Sequence, residues 1–118
     1  GATPPPQVDP RARKERELSE AIAIYAQGRY DDAVVWLTPL IGAPELPVAQ
    51  QLRVLKFLAF SHCASGRLRQ CRQYFDMAFD LDPTVQLTDA ERGHPVWSKE
   101  FNAARAAARN RRGTPRAP

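Results

Sequence analysis

A six-residue segment occurs twice in this chain, and its recurrence leaves few folds open. Gly28-Arg29-Tyr30-Asp31-Asp32-Ala33 returns as Gly66-Arg67-Leu68-Arg69-Gln70-Cys71, an offset of 38 residues. Behind it Leu37 matches Phe75, Leu40 matches Ala78, and a proline follows in each copy, Pro44 and Pro83. These residue types in this order describe a helical hairpin. The glycine permits the tight turn, Tyr30 or Leu68 anchors the second helix, and the small Ala33 or Cys71 lets the two helices approach. A period in this range signals a helical-repeat architecture. No segment alternates apolar and polar residues for long enough to be a strand, so the expected fold class is all-α.

The rest of the chain reads as punctuation around that repeat. Residues 1–8 (GATPPPQV) predict an extended, Pro-rich lead ahead of a helical domain over 9–110. Asp9 caps and Pro10 opens a helix to Gln27 with Leu18, Ala21, Ile22 and Tyr25 on one face. A second helix follows from Tyr30 to Ile41, its last turn kinked or shortened by Pro39. Hairpins are therefore expected over about 9–41 and 48–82, separated by the Pro/Gly loop at 42–47. Thr88 and Glu91 form a capping box for one short helical turn. A final helix over 95–110 carries Trp97, Phe101, Ala104 and Ala108 on one stripe, and 111–118 is expected as a disordered basic tail.

Over roughly Lys14–Pro83 these residues resemble the tetratricopeptide repeat (TPR) family, as two repeats. The second is the better match, with Leu58-Ala59, Gly66, Phe75, Ala78 and Asp82-Pro83 in the family's spacing. The first departs from it, with Glu17 and Glu20 where a large apolar pair belongs and a longer link to the next repeat. The resemblance implies a TPR-like α-solenoid of two helical hairpins, with the last helix as the terminal cap such stacks require. The stretch Phe75–Pro83, with Leu87, Glu91 and Gly93–Trp97, is also similar to small exported TPR lipoproteins of Gram-negative bacteria associated with envelope or secretion machinery.

In that family the first helix of each hairpin lines a concave face on which a peptide or partner helix lies. By resemblance, Glu15, Leu18, Ile22, Arg53, Lys56 and Phe60 would line it. Arg53 and Lys56 would fix an acidic group while Leu18, Ile22 and Phe60 supply apolar area. The alternative reading makes Leu18 and Ile22 core and Arg53 and Lys56 a solvated face.

Other chemistry is sparse. Cys63 and Cys71 lie four residues either side of Arg67, at matching heights on the two arms of the second hairpin. Two readings stand: a pair of buried thiols in small-residue slots, or a disulfide that requires an oxidising compartment. No Cys-x-x-Cys, zinc-ligand spacing, phosphate loop or nucleophile elbow occurs, so neither enzyme, metal nor cofactor is expected. His62 reads as a partly exposed helix residue and His94 as a turn residue that bonds backbone near Glu91. The net charge of +4 is misleading, because five arginines and no acid lie from Phe101 onward. Residues 1–100 hold twelve cations against thirteen acids, which argues against a nucleic-acid-binding face on the domain.

The expected function is an adaptor or scaffold that binds another protein or peptide segment, such as a secretion or envelope component, with oligomerisation open. The expected location is periplasmic, with any outer-membrane attachment through an anchor outside this chain. The alternatives are a cytoplasmic TPR chaperone for secreted proteins and a nucleic-acid-associated helical protein using its basic C-terminal end.

Overall fold

In the computed structural model, which describes residues 9–113, every regular element is helical. The helices are α1 (Pro10–Ala26), α2 (Tyr30–Leu37), α3 (Val48–Ala64), α4 (Leu68–Leu81), α5 (Asp89–Arg92) and α6 (Pro95–Gly113), with a 3₁₀ turn at Thr38–Leu40. The lead over 1–8 and residues 114–118 lie outside the described residues.

The repeated segment folds the same way twice. Gly28 and Gly66 have φ of +78° and +77°, the left-handed region in which a Cβ is penalised. At the first turn Gly28 N–H donates to the Tyr25 carbonyl and Arg29 N–H to that of Ile24. At the second, Gly66 N–H donates to Cys63 and Arg67 N–H to His62. This pair of reverse bonds is the Schellman motif, and it satisfies carbonyls that a helix end leaves open. Arg29 and Arg67 then start the next helices at nearly identical angles, φ −89°, ψ 71° and φ −91°, ψ 72°.

The packing follows the same rule. α1 lies against α2 and α3 against α4, while α3 rests on α2 and α1 just as α6 rests on α4 and α3. Thus α1, α3 and α6 form one layer, with α2 and α4 behind. Fully buried Ala33 and Cys71 sit at equivalent positions in the two hairpins, where a small side chain lets the paired helices approach. One core cluster holds Leu18, Ala21, Leu37, Leu40, Val54 and Leu58. The other holds Ala59, Phe60, Phe75, Phe79, Phe101 and Ala104, and Tyr25, Ile41, Phe57 and Tyr74 pack against both.

Pro39 shortens α2 as the sequence led one to expect, and one boundary, the end of α6, differs from the expectation. α2 ends at Leu37, because Pro39 cannot donate to the ladder; the 3₁₀ turn takes over, and Thr38 Oγ1 bonds the Val34 carbonyl at 2.6 Å. α6 continues through Arg111 and Arg112 to Gly113, so the expected tail does not begin at 111. Arg111 lies 3.7 Å from Asp80 of α4, an exposed pair that favours the added turn slightly. The α4–α6 linker also enters the core through buried Val85 and Leu87.

Candidate interaction face

Packing joins aromatics of α1, α3 and α6 into a row across the layer these helices form. Tyr25 of α1 meets Phe57 of α3 edge-on at 5.2 Å between ring centroids. Phe57 meets Phe60 at 5.3 Å, and Phe60 meets Trp97 of α6 at 4.2 Å. His94 stacks on Trp97 at 3.8 Å and closes the row. Phe60 is buried, whereas Tyr25, Phe57, Trp97 and His94 are half-buried and keep an accessible edge. Exposed Arg53 stands over Phe57, its guanidinium carbon 5.9 Å from the ring centre.

Polar contacts hold this row in register. Trp97 Nε1 donates to the Glu91 carbonyl at 2.6 Å. His94 Nδ1 accepts from the backbone N–H groups of Val96 and Trp97, at 3.2 and 3.4 Å, and so caps α6. The capping box of Thr88 and Glu91 is present, and the Glu91 carboxylate also reaches Lys56 Nζ at 2.6 Å. Burial, then the neighbouring Tyr30 and the Glu91 carboxylate, pushes the Tyr25 phenol up to about 12, so it stays a neutral donor over the physiological range.

The six residues expected on this face part company. Lys56 is 7% exposed, and its ammonium is taken up by Glu91 and, at 3.3 Å, by the Gln86 carbonyl. It ties α3 to the linker and is not offered to an external acid. Leu18 and Phe60 are each 1% exposed and serve the core, so neither supplies contact area. Ile22 is half-buried against the first hairpin's core. Glu15 pairs with Arg11 at 3.0 Å, and Arg53 is free to meet a partner apart from a 3.4 Å bond to Gln50. The residues of this layer left accessible therefore include Glu15, Ile22, Tyr25, Arg53, Phe57, His94 and Trp97. Tyr25 was visible in the sequence only as an apolar helix position, and Phe57 only as a helix residue.

Cys63 and Cys71 form a disulfide with a Cα–Cα distance of 5.2 Å, tying the arms of the second hairpin. His62 is buried rather than partly exposed: it stacks on Tyr74 at 5.4 Å, and its Nδ1 accepts from Arg67 Nε at 2.8 Å. Arg67 also reaches Asp31 of the first hairpin at 2.9 Å, so it straps the two repeats together. Burial, then the Arg67 charge, holds the His62 imidazole below its ordinary value despite Asp31. Among the described residues no group of three or more His, Cys, Asp or Glu side chains is placed to hold a metal ion. No helix among them is long and apolar enough to cross a membrane.

Comparison with protein-family models, with curated proteins and with solved structures finds no match.

Proposed function

We propose that this chain is a protein-interaction adaptor, built as a TPR-like pair of hairpins with α6 as terminal cap, that holds a peptide segment on the α1–α3–α6 layer. The observation that carries the reading is the half-buried aromatic row Tyr25–Phe57–Trp97 with Arg53 beside it. Half-buried aromatics with an adjacent guanidinium are the residue types that dominate binding energy at protein interfaces. They are also preorganised here by three helices, so little ordering entropy is lost on binding. The twin Schellman turns support the repeat reading, since the same backbone solution recurs at the same period.

The disulfide supports an oxidising location such as the bacterial periplasm, in keeping with the resemblance to exported envelope and secretion-associated lipoproteins. It weighs against the cytoplasmic chaperone reading. The test is selection of binders from a displayed peptide library on the oxidised protein, followed by titration of the enriched peptides. Enriched peptides should lose at least about tenfold in affinity to Phe57→Ala, and a further loss should follow Arg53→Glu. Peptides that bind both variants as tightly as the parent, or no enrichment over an unselected pool, would refute the assignment.

A further inference from the structure

The corner between α6 and the linker that precedes it carries a different chemistry from the aromatic row. A cavity of about 390 Å³ opens there, floored by buried Leu87 and Phe101. Its rim carries Gln86, Arg92, Asn102 and Arg105 and no carboxylate. The amide oxygens of the rim are already taken: Gln86 Oε1 accepts from Arg92 at 3.4 Å, and Asn102 Oδ1 accepts from Arg105 at 2.9 Å. The oxygens face the guanidinium groups, so each amide NH₂ is left as a donor. Arg92 donates from Nε to the Leu87 carbonyl at 3.3 Å and shares Nη1 with exposed Asp89 at 3.3 Å, so the donors left for a ligand are those of Arg105, 5.8 Å over Phe101, and the two amide groups. The rim is a set of donors over an apolar floor, which suits an acceptor with negative charge.

The same chemistry continues along α6. Ser98, Asn102, Arg105, Arg109 and Arg112 follow one another every third or fourth residue and form a single stripe about 21 Å long. That stripe lies about a quarter turn from the buried one at Trp97, Phe101, Ala104 and Ala108. Arg109 and Arg112 are exposed and have no carboxylate partner among the described residues. Among the described residues α6 is the last helix of its layer.

From this geometry we infer a second docking site, for an acidic helix of a partner protein. The helix runs along the α6 flank with carboxylates at three- and four-residue spacing against Arg105, Arg109 and Arg112, and seats a side chain in the cavity beside Arg92. The spacing of the arginines matches the side-chain ladder of a neighbouring helix. A nucleic-acid strand is the poorer occupant, because the stripe offers no aromatic on which bases stack. A lipid surface is poorer as well, because the stripe offers no large apolar side chain to enter an acyl layer. The inference does not depend on the aromatic row.

The experiment uses the full chain and a dye-labelled synthetic helical peptide with glutamate at every third or fourth position. Comparison probes are the same peptide with glutamine, labelled oligouridine, and phosphatidylglycerol vesicles, all at low and physiological salt. The glutamate peptide should bind and the glutamine peptide should not. Arg105→Gln, and separately Arg109→Glu/Arg112→Glu, should each weaken binding at least about tenfold, and Phe57→Ala should leave it unchanged. Arg109 and Arg112 are exposed and form no ion pair among the described residues, so the double variant should fold as the parent does, with an unchanged circular-dichroism melt. No binding of the glutamate peptide at low salt overturns the inference. So does equal binding by the double variant, loss of binding in Phe57→Ala, or tighter binding of oligouridine or vesicles than of the peptide.

Discussion

Cutting the Cys63–Cys71 bridge should remove about 2.5 kcal/mol of stability, and the figure follows from the sequence separation of 8 between the two cysteines. Closing so short a loop restricts the unfolded chain less than a long one would, which places the effect at the low end for disulfides. Against a total of roughly 10 kcal/mol for a domain of this size, it is still about a quarter of the whole. With a urea m-value of about 1.5 kcal/mol/M, the midpoint should fall by about 1.7 M on reduction. The thermal midpoint should fall by about 10 °C. Urea melts of the oxidised protein with and without dithiothreitol isolate the cross-link, because no side chain is removed. The Cys63→Ala/Cys71→Ala variant should lose slightly more, since both positions are buried and each sulfur leaves a small void. The m-value should rise in the reduced form as the unfolded state expands. Coincident oxidised and reduced melts would refute the reasoning, as would two titratable thiols in protein recovered from an oxidising compartment.

Gly66→Ala should cost about 1 kcal/mol or more in a chemical melt, because the residue sits at φ +77° with nothing within 4 Å of the added Cβ; a D-alanine introduced there by semisynthesis should cost nothing, and equal losses would show that the conformation is not the cause. Lys56→Ala should cost about 3 kcal/mol by leaving the Glu91 carboxylate, 15% exposed, without its cation, whereas Lys56→Met with Glu91→Gln should recover most of it in the same melt. His62 accepts from Arg67 and is held below its ordinary value by burial, so its share of stability is complete above the unfolded value of about 6.5 and is lost as pH falls through the folded value. His62→Gln keeps an acceptor and does not titrate; stability profiles of parent and variant should diverge between about pH 7 and 5, and parallel profiles would sink the assignment.

The elements of this molecule were legible where their cause is local. The turn at Gly28 and its twin at Gly66 follow from glycine's backbone freedom, and the capping box from two side chains three residues apart. The docking stripe of α6 follows from period alone. What stayed hidden joins residues far apart in the chain. Lys56 reads as a solvated helix cation until Glu91 is brought to it by the linker's path. His62 reads as surface until Tyr74 and Arg67 cover it. The aromatic row needs α1, α3 and α6 to adjoin, and no single helix's periodicity reports its neighbours. The change of helix type at Thr38–Leu40 was half legible: Pro39 announced a disturbance without saying that the chain would tighten instead of bend.

Because α6 rests on α3 and α4 as α3 rests on α1 and α2, nothing in the packing obliges the molecule to stop at its present length. A further copy of α3, α4 and the loop that leads into them, spliced ahead of the final helix, would offer that helix the seat it already occupies. On the proposed TPR-like reading extent would be an adjustable quantity, gained in whole increments of two helices, each lengthening the proposed docking layer without redrawing what is already built.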